Sequence, residues 1–172
     1  RLMAEAFRKS RFYGFDTHAA SIAEAREYAE LDGLSSRVEF SLAKATTYPD
    51  HQYDLICFFD VLHDLGDPVA AARHAATTLA PGGTVMLVEP FAHDHAGDNL
   101  TPVGQLYYAA STVICCAHAI SEGGRMVLGA QGSASQDAGG PAAGAHHSDS
   151  PSQGALLVTL PWGSAEGQFW RV

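Results

Sequence analysis

Apolar runs that end in an acidic residue recur along the first half of the chain. Three such runs end at Asp16, Asp60 and Glu89. Between the runs, apolar residues recur at three- and four-residue spacing, which predicts helices that bury one face. Strands that end in a carboxylate and alternate with helices are typical of an open α/β sheet, whose ligand binds at the carboxyl edge of the strands.

Turn and cap residues set the limits of the predicted elements. Strands are predicted over residues 11–15, 38–42, 53–59 and 84–88. A helix is predicted after the first strand, with Asp16 or Thr17 as its N-cap and Gly33 just beyond its end. Asp67 followed by Pro68 predicts the start of another helix, because Asp caps the first turn and Pro fits within it.

The chain beyond this helix is expected to reverse sharply and later to form one long apolar helix. Pro81-Gly82-Gly83 predicts a tight reversal between a helix ending at Leu79 and the strand that starts at Thr84. Residues 103–120 predict a single helix. The residues at spacings compatible with its buried face are mostly large: Leu106, Tyr107, Ala110, Val113 and Ile114.

Composition narrows the class of protein and its partners. The 172 residues suffice for one domain with a real core. A net charge of −9, from 10 basic and 19 acidic residues, argues against nucleic acid as a direct partner. No apolar run is expected to approach the length of a membrane span. The three cysteines include an adjacent pair, which is a poor disulfide framework and favours a reducing cytoplasm.

The composition changes abruptly at residue 129. Residues 129–154 are almost entirely Gly, Ala, Ser and Pro, and such a segment cannot bury enough apolar area to become ordered. We therefore divide the chain into a partial domain over 1–128, a disordered segment over 129–154, and a tail over 155–172. Residues 155–160 could form one late strand within that tail.

Three motifs, in order, resemble those of class I S-adenosylmethionine-dependent methyltransferases. They are FYGFD, YDLICFFDVLHDLGDP and LAPGGTVMLVEP, and the likeness covers about residues 2–120. The sub-pattern FFDVLHDLGDP, then VEPF, then DNLTPVGQLYYAAST, is similar to an actinobacterial group of small-molecule methyltransferases that often carries an N-terminal winged-helix region. The resemblance implies a Rossmann-like, doubly wound and mostly parallel sheet, with S-adenosylmethionine as cofactor. A homodimer formed through an N-terminal region is also implied.

One part of the family pattern is missing. The first motif, a strand followed by a glycine-rich turn that holds the methionine part of the cofactor, would precede Leu2. We therefore expect an incomplete sheet without its central first strand. The strands over 12–15 and 53–59 should then each keep an unpaired edge, and edges of that kind favour aggregation.

The resemblance assigns cofactor binding to six residues near the carboxyl ends of three strands: Asp16, Ala43, Lys44, Phe58, Phe59 and Asp60. A carboxylate at Asp16 can accept hydrogen bonds from both ribose hydroxyls, and it can also cap the helix that follows. Ala43 and Lys44 would flank the adenine. Phe58 or Phe59 could stabilise the sulfonium through a ring face, but consecutive strand residues point to opposite sides, so core packing is the alternative.

Histidines are the remaining candidates for chemistry. His63-Asp64 resembles the Leu-His-Asp element of small-molecule O-methyltransferases, in which imidazole deprotonates a hydroxyl nucleophile. The alternative is a helix-terminal residue without a catalytic role. His93 and His95 lie two apart in a predicted loop, but no third ligand is fixed by spacing, so no metal site is predicted.

The expected function is transfer of a methyl group from S-adenosylmethionine to a small-molecule nucleophile, expected to be a hydroxyl. The chain is expected to be a fragment with weak or no activity of its own. One alternative is a non-catalytic remnant or interaction fragment. The other is a nicotinamide-dinucleotide oxidoreductase, which needs a glycine-rich fingerprint about 20 residues before Asp16, a span that the chain does not contain.

Overall fold

The computed structural model describes residues 1–93, 95–124 and 126–130, and the backbone of one strand near the C-terminus. Its helices are α1 (Leu2–Ala6), α2 (Ala19–Leu31), α3 (Pro68–Thr78), α4 (Pro102–Val113) and α5 (Cys115–Ser121). Its strands are β1 (Arg11–Asp16), β2 (Val38–Leu42), β3 (Tyr53–Phe59), β4 (Leu79–Val88) and β5 (Ala155–Thr159). Two 3-10 turns cover Leu62–Asp64 and Ala96–Asn99. The segment predicted to be disordered lies outside the described residues from residue 131 onward.

The chain divides into two compact units. Unit 1 contains Arg1–Phe59, His74–Leu87 and β5, and unit 2 contains Asp60–Arg73 and the described residues from Val88 to Ala130. Unit 1 therefore holds the sheet with α1 and α2, and unit 2 holds both 3-10 turns with α4 and α5.

The sheet has five strands in the order β2-β1-β5-β3-β4. β1 runs parallel to β2, and β5 runs parallel to both β1 and β3. β4 has the same direction as β3, because the two strands are close at both their starts and their ends. Near the start of each strand, a Cβ at Gly83 would lie 2.8 Å from the Tyr53 carbonyl oxygen. At the other end, the Asp60 amide donates to the Val88 carbonyl at 2.7 Å. The prediction of a mostly parallel, Rossmann-like sheet is confirmed.

The centre of the sheet corrects one expectation. β1 and β3 were expected to keep unpaired inner edges, but β5 lies between them and pairs with both, with Leu157 opposite Tyr13 on one side and Ile56 on the other. The physical reason is the row of unpaired amides and carbonyls that each inner edge presents. The apolar segment Ala155–Thr159 satisfies both rows at once, so a late strand takes the place expected to be vacant.

The cap of α2 also differs from the expectation. The N-cap is His18, whose ring accepts a hydrogen bond from the Ser21 amide, and not Asp16 or Thr17. Asp16 instead accepts the His18 amide at 2.7 Å, so its carboxylate shapes the turn before the helix. Gly33 has the positive φ of 68° that suits a helix end.

One of the two boundaries predicted around α3 moves. Asp67 caps α3 as predicted, accepting the Ala70 amide at 2.8 Å. The strand after α3 begins at Leu79, however, and runs through the Pro-Gly-Gly sequence where a reversal was expected. Gly82 keeps the predicted positive φ, 81°, so the glycine bends the extended chain without ending the strand.

The predicted helix over 103–120 is two helices, and its buried face is the opposite of the expected one. The break is at Ile114, where φ is −113° and ψ is −76°. The large residues are exposed, Leu106 by 68% and Val113 by 72%. The buried positions are small, and they are Gly104, Ser111, Cys115 and Ala119.

The same segment corrects the expectation that no apolar run reaches membrane length. Pro102–Ser121 is a 20-residue helical stretch that is long and apolar enough to cross a membrane. Length and composition are equally met by core helices of soluble proteins, so this one stretch assigns no membrane.

Candidate functional site

Asp16 provides an unsatisfied carboxylate oxygen at the carboxyl end of β1. The residue is only 7% exposed, and its Oδ1 accepts the His18 amide. Its Oδ2 is buried and has no hydrogen-bond partner among the described residues. Burial raises the pKa of Asp16, and the hydrogen bond from His18 opposes that shift. A buried carboxylate oxygen without a donor is costly, and a ligand hydroxyl would satisfy it.

The loop after β2 lies beside Asp16. The Ala43 amide donates to the Asp16 carbonyl at 3.1 Å, and Lys44 accepts the Thr47 amide through its own carbonyl at 3.0 Å. Lys44 is exposed and Ala43 is partly buried. The structure thus brings together Asp16 and Ala43, two of the residues expected to contact the cofactor.

The two phenylalanines at the end of β3 differ in exposure. Phe58 is 1% exposed and belongs to the core, whereas Phe59 is partly buried and packs against a cluster of Ala4, Phe12 and Cys57. This is the alternation expected for consecutive residues of a strand. Asp60, the next residue, has a positive φ of 55°, which is uncommon for a residue with a side chain and is tolerated best by Asn and Asp.

His63 lies within a group of carboxylates in unit 2. Its Nδ1 is hydrogen-bonded to Glu89 Oε2, and its Nε2 lies 3.2 Å from Asp64 Oδ1. Asp60 Oδ1 lies 3.9 Å from Nδ1, and the Asp60 side chain is half exposed. Burial alone would lower the pKa of His63, but the hydrogen bond to Glu89 and the charges of Glu89, Asp64 and Asp60 together raise it.

Glu89 organises this group. Besides His63, it accepts the backbone amides of Val61 and Leu62 through Oε1, at 3.2 and 2.8 Å. The carboxylate therefore holds the first turn of the 3-10 segment and the imidazole at once, with its side chain 7% exposed. A carboxylate on one imidazole nitrogen fixes the tautomer and leaves the lone pair of the neutral ring on the other nitrogen, here Nε2.

A thiol, that of Cys115, lies close to His63 and Asp64. Ligand atoms of His63, Asp64 and Cys115 all lie within 4.8 Å of one another. Cys115 is buried at the start of α5, and burial, a hydrogen bond to Asp64 and the charge of Asp64 raise the pKa of its thiol to about 12. Asp64 Oδ1 is buried without a hydrogen-bond partner in the described part of the chain.

The loop that contains His93 and His95 is held by an amide side chain. Asn99 accepts the His93 amide and donates to the carbonyls of His93 and His95, at 2.7, 2.9 and 3.4 Å. Both histidines are exposed, and neither joins a group of metal-binding side chains among the described residues. That this loop binds no metal stays a prediction.

Two residues of the site were not assigned roles from the sequence. Glu89 carried a usable signal, because it ends an apolar strand in the same way as Asp16 and Asp60. Cys115 carried none, since a cysteine within an apolar helical run looks like core. Its position depends on the helix break at Ile114, which periodicity alone does not locate.

Comparisons with known proteins agree with the α/β fold. A family model described as "Methyltransferase domain" matches residues 1–138. The structure "PigF with SAH" is similar at 18% identity and a TM-score of 0.54, over 78% of this chain and 37% of that chain; at that identity the likeness shows the fold alone. "Crystal Structure of the [4+2]-Cyclase SpnF" matches at 30% identity and a TM-score of 0.44, over 45% of this chain and 29% of that chain, too low to carry an argument.

Proposed function

This chain belongs to the class I S-adenosylmethionine-dependent methyltransferases, and from that premise we propose that it takes part in methyl transfer to a hydroxyl oxygen of a small molecule. S-adenosylmethionine is the cofactor of the family and supplies the methyl group when bound. The chain spans 37% and 29% of the two structures it matches, so the activity of a whole enzyme is part of the proposal.

The observation that carries the proposal is the unsatisfied oxygen of Asp16. Its Oδ2 is buried at the carboxyl end of β1, where ligands of open α/β sheets bind. The ribose of the cofactor offers two hydroxyl donors, and a buried carboxylate oxygen without a donor fits one of them. Asp16 therefore holds the ribose in this proposal, while its other oxygen continues to accept the His18 amide.

The family resemblance suggests the remaining cofactor contacts of the proposal. Ala43 and Lys44 flank the adenine, which is supported by the hydrogen bond between the Ala43 amide and the Asp16 carbonyl. At the end of β3, Phe58 supports the site from the core, and Phe59 and Asp60 face the sulfonium. An aromatic face and a carboxylate both favour a cation.

His63 is the proposed base. Glu89 holds the Nδ1 proton, so Nε2 of the neutral ring can accept the proton of the acceptor hydroxyl. S-adenosylmethionine, when bound, would supply the methyl group to that oxygen, and the electron pair of the carbon–sulfur bond would stay on sulfur. The Glu89 carboxylate stabilises the imidazolium that results, as the Asp does in serine-protease triads. Most of the remaining rate enhancement comes from holding two substrates in line.

Cofactor binding is tested by calorimetry with S-adenosylhomocysteine on the full chain and on two Asp→Asn variants. Asp16→Asn should weaken binding by about 1–3 kcal/mol, roughly 5- to 150-fold, because a charged acceptor is lost. Asp50→Asn is the matched control, since Asp50 also accepts the amide two residues on, from Gln52 at 2.9 Å, but is exposed. Equal binding by both variants would refute the ribose role, and no binding by the parent chain would favour the non-catalytic alternative.

The acceptor is tested with labelled S-adenosylmethionine and a panel of phenols, thiols and amines. Removing a general base costs about 10²- to 10⁴-fold, so His63→Gln should lose that factor on a weakly acidic phenol. It should keep activity on a phenol that is already ionised at the assay pH. His118→Gln is the control, because His118 also lies near a carboxylate, Glu122, at 3.8 Å. Equal losses on both phenols would contradict the base role, and thiol or amine methylation without phenol methylation would contradict the hydroxyl acceptor.

The compartment and the assembly belong to the same proposal. We propose a cytoplasmic location, supported by three cysteines that form no disulfide among the described residues. A homodimer formed through a preceding N-terminal region remains a prediction from the family resemblance. The nicotinamide alternative predicts binding of a dinucleotide, so the same calorimetry with NAD⁺ separates the two cofactor classes.

A further inference from the structure

Three different metal-binding side chains, those of His63, Asp64 and Cys115, lie close together in unit 2. They supply an imidazole nitrogen, a carboxylate oxygen from Asp64 and a sulfur from Cys115, all within 4.8 Å of one another. His63 and Cys115 are buried, and the Asp64 side chain is 19% exposed. Nitrogen, oxygen and sulfur in one cluster suit a borderline-soft divalent cation and suit magnesium or calcium poorly.

The spacing of the two best-defined donor atoms matches a tetrahedral metal site. His63 Nε2 and Asp64 Oδ1 are 3.2 Å apart. Zinc–nitrogen and zinc–oxygen bonds of about 2.1 Å at a tetrahedral angle separate the two donors by about 3.4 Å. Asp64 Oδ1 is also buried without a hydrogen-bond partner in the part of the chain that the structure describes. A cation at this position would bind both the Nε2 lone pair and the carboxylate oxygen, in the place of the protons that otherwise lie between these groups.

Glu89 completes the arrangement from the other side of the ring. Its carboxylate binds His63 Nδ1, and carboxylate–histidine–metal chains of this kind orient metal ligands in zinc proteins. Glu89 itself is not a ligand here, because its two oxygens already accept two backbone amides and the imidazole. For the same reason the neighbouring set of Asp60, His63 and Glu89 is the weaker candidate, since a cation there would displace those hydrogen bonds.

We propose that His63 Nε2, Asp64 and Cys115 bind one zinc-class divalent cation, with a fourth position open to solvent or a ligand. Binding forms one metal–sulfur, one metal–nitrogen and one metal–oxygen bond. The Cys115 thiol releases its proton to solvent, and so does Nε2 where it is protonated, so the cation replaces those protons.

Metal binding and the base role of His63 exclude each other. The cation occupies the Nε2 lone pair that accepts the hydroxyl proton in the proposed function. This consequence rests on the proposed function, so zinc should inhibit methyl transfer if both hold. The metal site itself does not depend on the proposed function, because no cofactor residue such as Asp16 belongs to the cluster.

The test is a titration of the chelator-treated full chain with Co²⁺, which reports a thiolate ligand by a sulfur-to-cobalt charge-transfer band. We expect one equivalent bound, with the band displaced by Zn²⁺. Cys115→Ser should abolish the band, whereas Cys116→Ser, its matched neighbour, should retain it. Glu89→Gln should weaken Zn²⁺ binding about 10- to 100-fold, as expected when a carboxylate that orients a ligand is lost.

Two further variants keep the result interpretable. Asp64→Asn preserves side-chain shape and should weaken Co²⁺ binding at least about tenfold, which tests the site even if Cys115→Ser does not fold. Asp16→Asn should leave the cobalt band unchanged, so failure of cofactor binding and failure of the metal site are separate results. Absence of the band in the parent chain, or its equal loss in both cysteine variants, would overturn the proposal.

Discussion

Glu89 makes three hydrogen bonds with one buried carboxylate, so its removal should destabilise unit 2 far more than removal of a surface glutamate. Its partners are the amides of Val61 and Leu62 and the ring of His63. A hydrogen bond to a charged group contributes about 1.5–3 kcal/mol net, and breaking a buried pair costs about 3–5 kcal/mol. We therefore expect Glu89→Ala to lower the free energy of unfolding by about 3–5 kcal/mol and Glu89→Gln by about 1–3 kcal/mol.

Glu122 provides the matched control for this prediction. It accepts one backbone amide, from Gly66 at 2.9 Å, and its side chain is 35% exposed. Because the Glu122 side chain is partly exposed, water can replace it at the Gly66 amide, and Glu122→Ala should cost less than the loss of a buried charged hydrogen bond, about 1 kcal/mol.

Urea unfolding of the parent and the three variants measures the difference. With a denaturant slope of about 2 kcal/mol per molar, Glu89→Ala should shift the midpoint by roughly 2 M. A common slope for all four proteins would show that the compactness of the unfolded state is unchanged. A midpoint for Glu89→Ala equal to that of Glu122→Ala would refute the claim that Glu89 organises the turn around His63.

Three further outcomes follow from unit 1. The raised pKa of Asp16 means that the stability contributed by its protonated form is present at low pH and is lost as pH rises through the folded-state pKa. The stability of the parent relative to Asp16→Asn, measured by denaturation from pH 3 to 7, should therefore fall with rising pH. Parallel curves for the two proteins would contradict this. Gly14→Ala should cost about 1–3 kcal/mol, because its Cβ would overlap the ring of Phe40, whereas Gly97→Ala has open space and should be near neutral in the same assay. Leu157→Pro removes a central amide of β5 and should expose the amides of β1 and β3 to hydrogen exchange; unchanged protection would show that β5 does not hold the sheet together.

Local sequence determined the limits of several elements well. β2 and β3 have the predicted limits, Val38–Leu42 and Tyr53–Phe59, because short apolar runs between turn residues leave few alternatives. Asp67 and Gly33 act at the helix ends where they were expected. These features depend on residues a few positions apart, and the pattern of a single sequence predicts interactions over such short separations.

The centre of the sheet could not be predicted in the same way. Ala155–Thr159 was recognisable as a possible strand, but nothing within it indicates where it pairs. Its place depends on two edges, in β1 and β3, that lie about a hundred or more residues earlier in the chain. Pairing over that separation follows from satisfying two rows of backbone groups, a property of the assembled sheet rather than of any local pattern.

The face of α4 and α5 shows why one site residue escaped sequence reasoning. Ordinary periodicity assigns the large apolar residues of a helix to the core, yet here Leu106 and Val113 are exposed and the small residues are buried. Small side chains allow close approach, and that approach brings Cys115 within reach of His63 and Asp64. A role for Cys115 therefore requires three features together. They are the helix break at Ile114, the burial of the small residues of α4 and α5, and the hydrogen bond between Glu89 and His63. Each of these is a tertiary feature, so the catalytic candidate His63 could be recognised from its own motif, whereas the cluster around it could only be found in the folded chain.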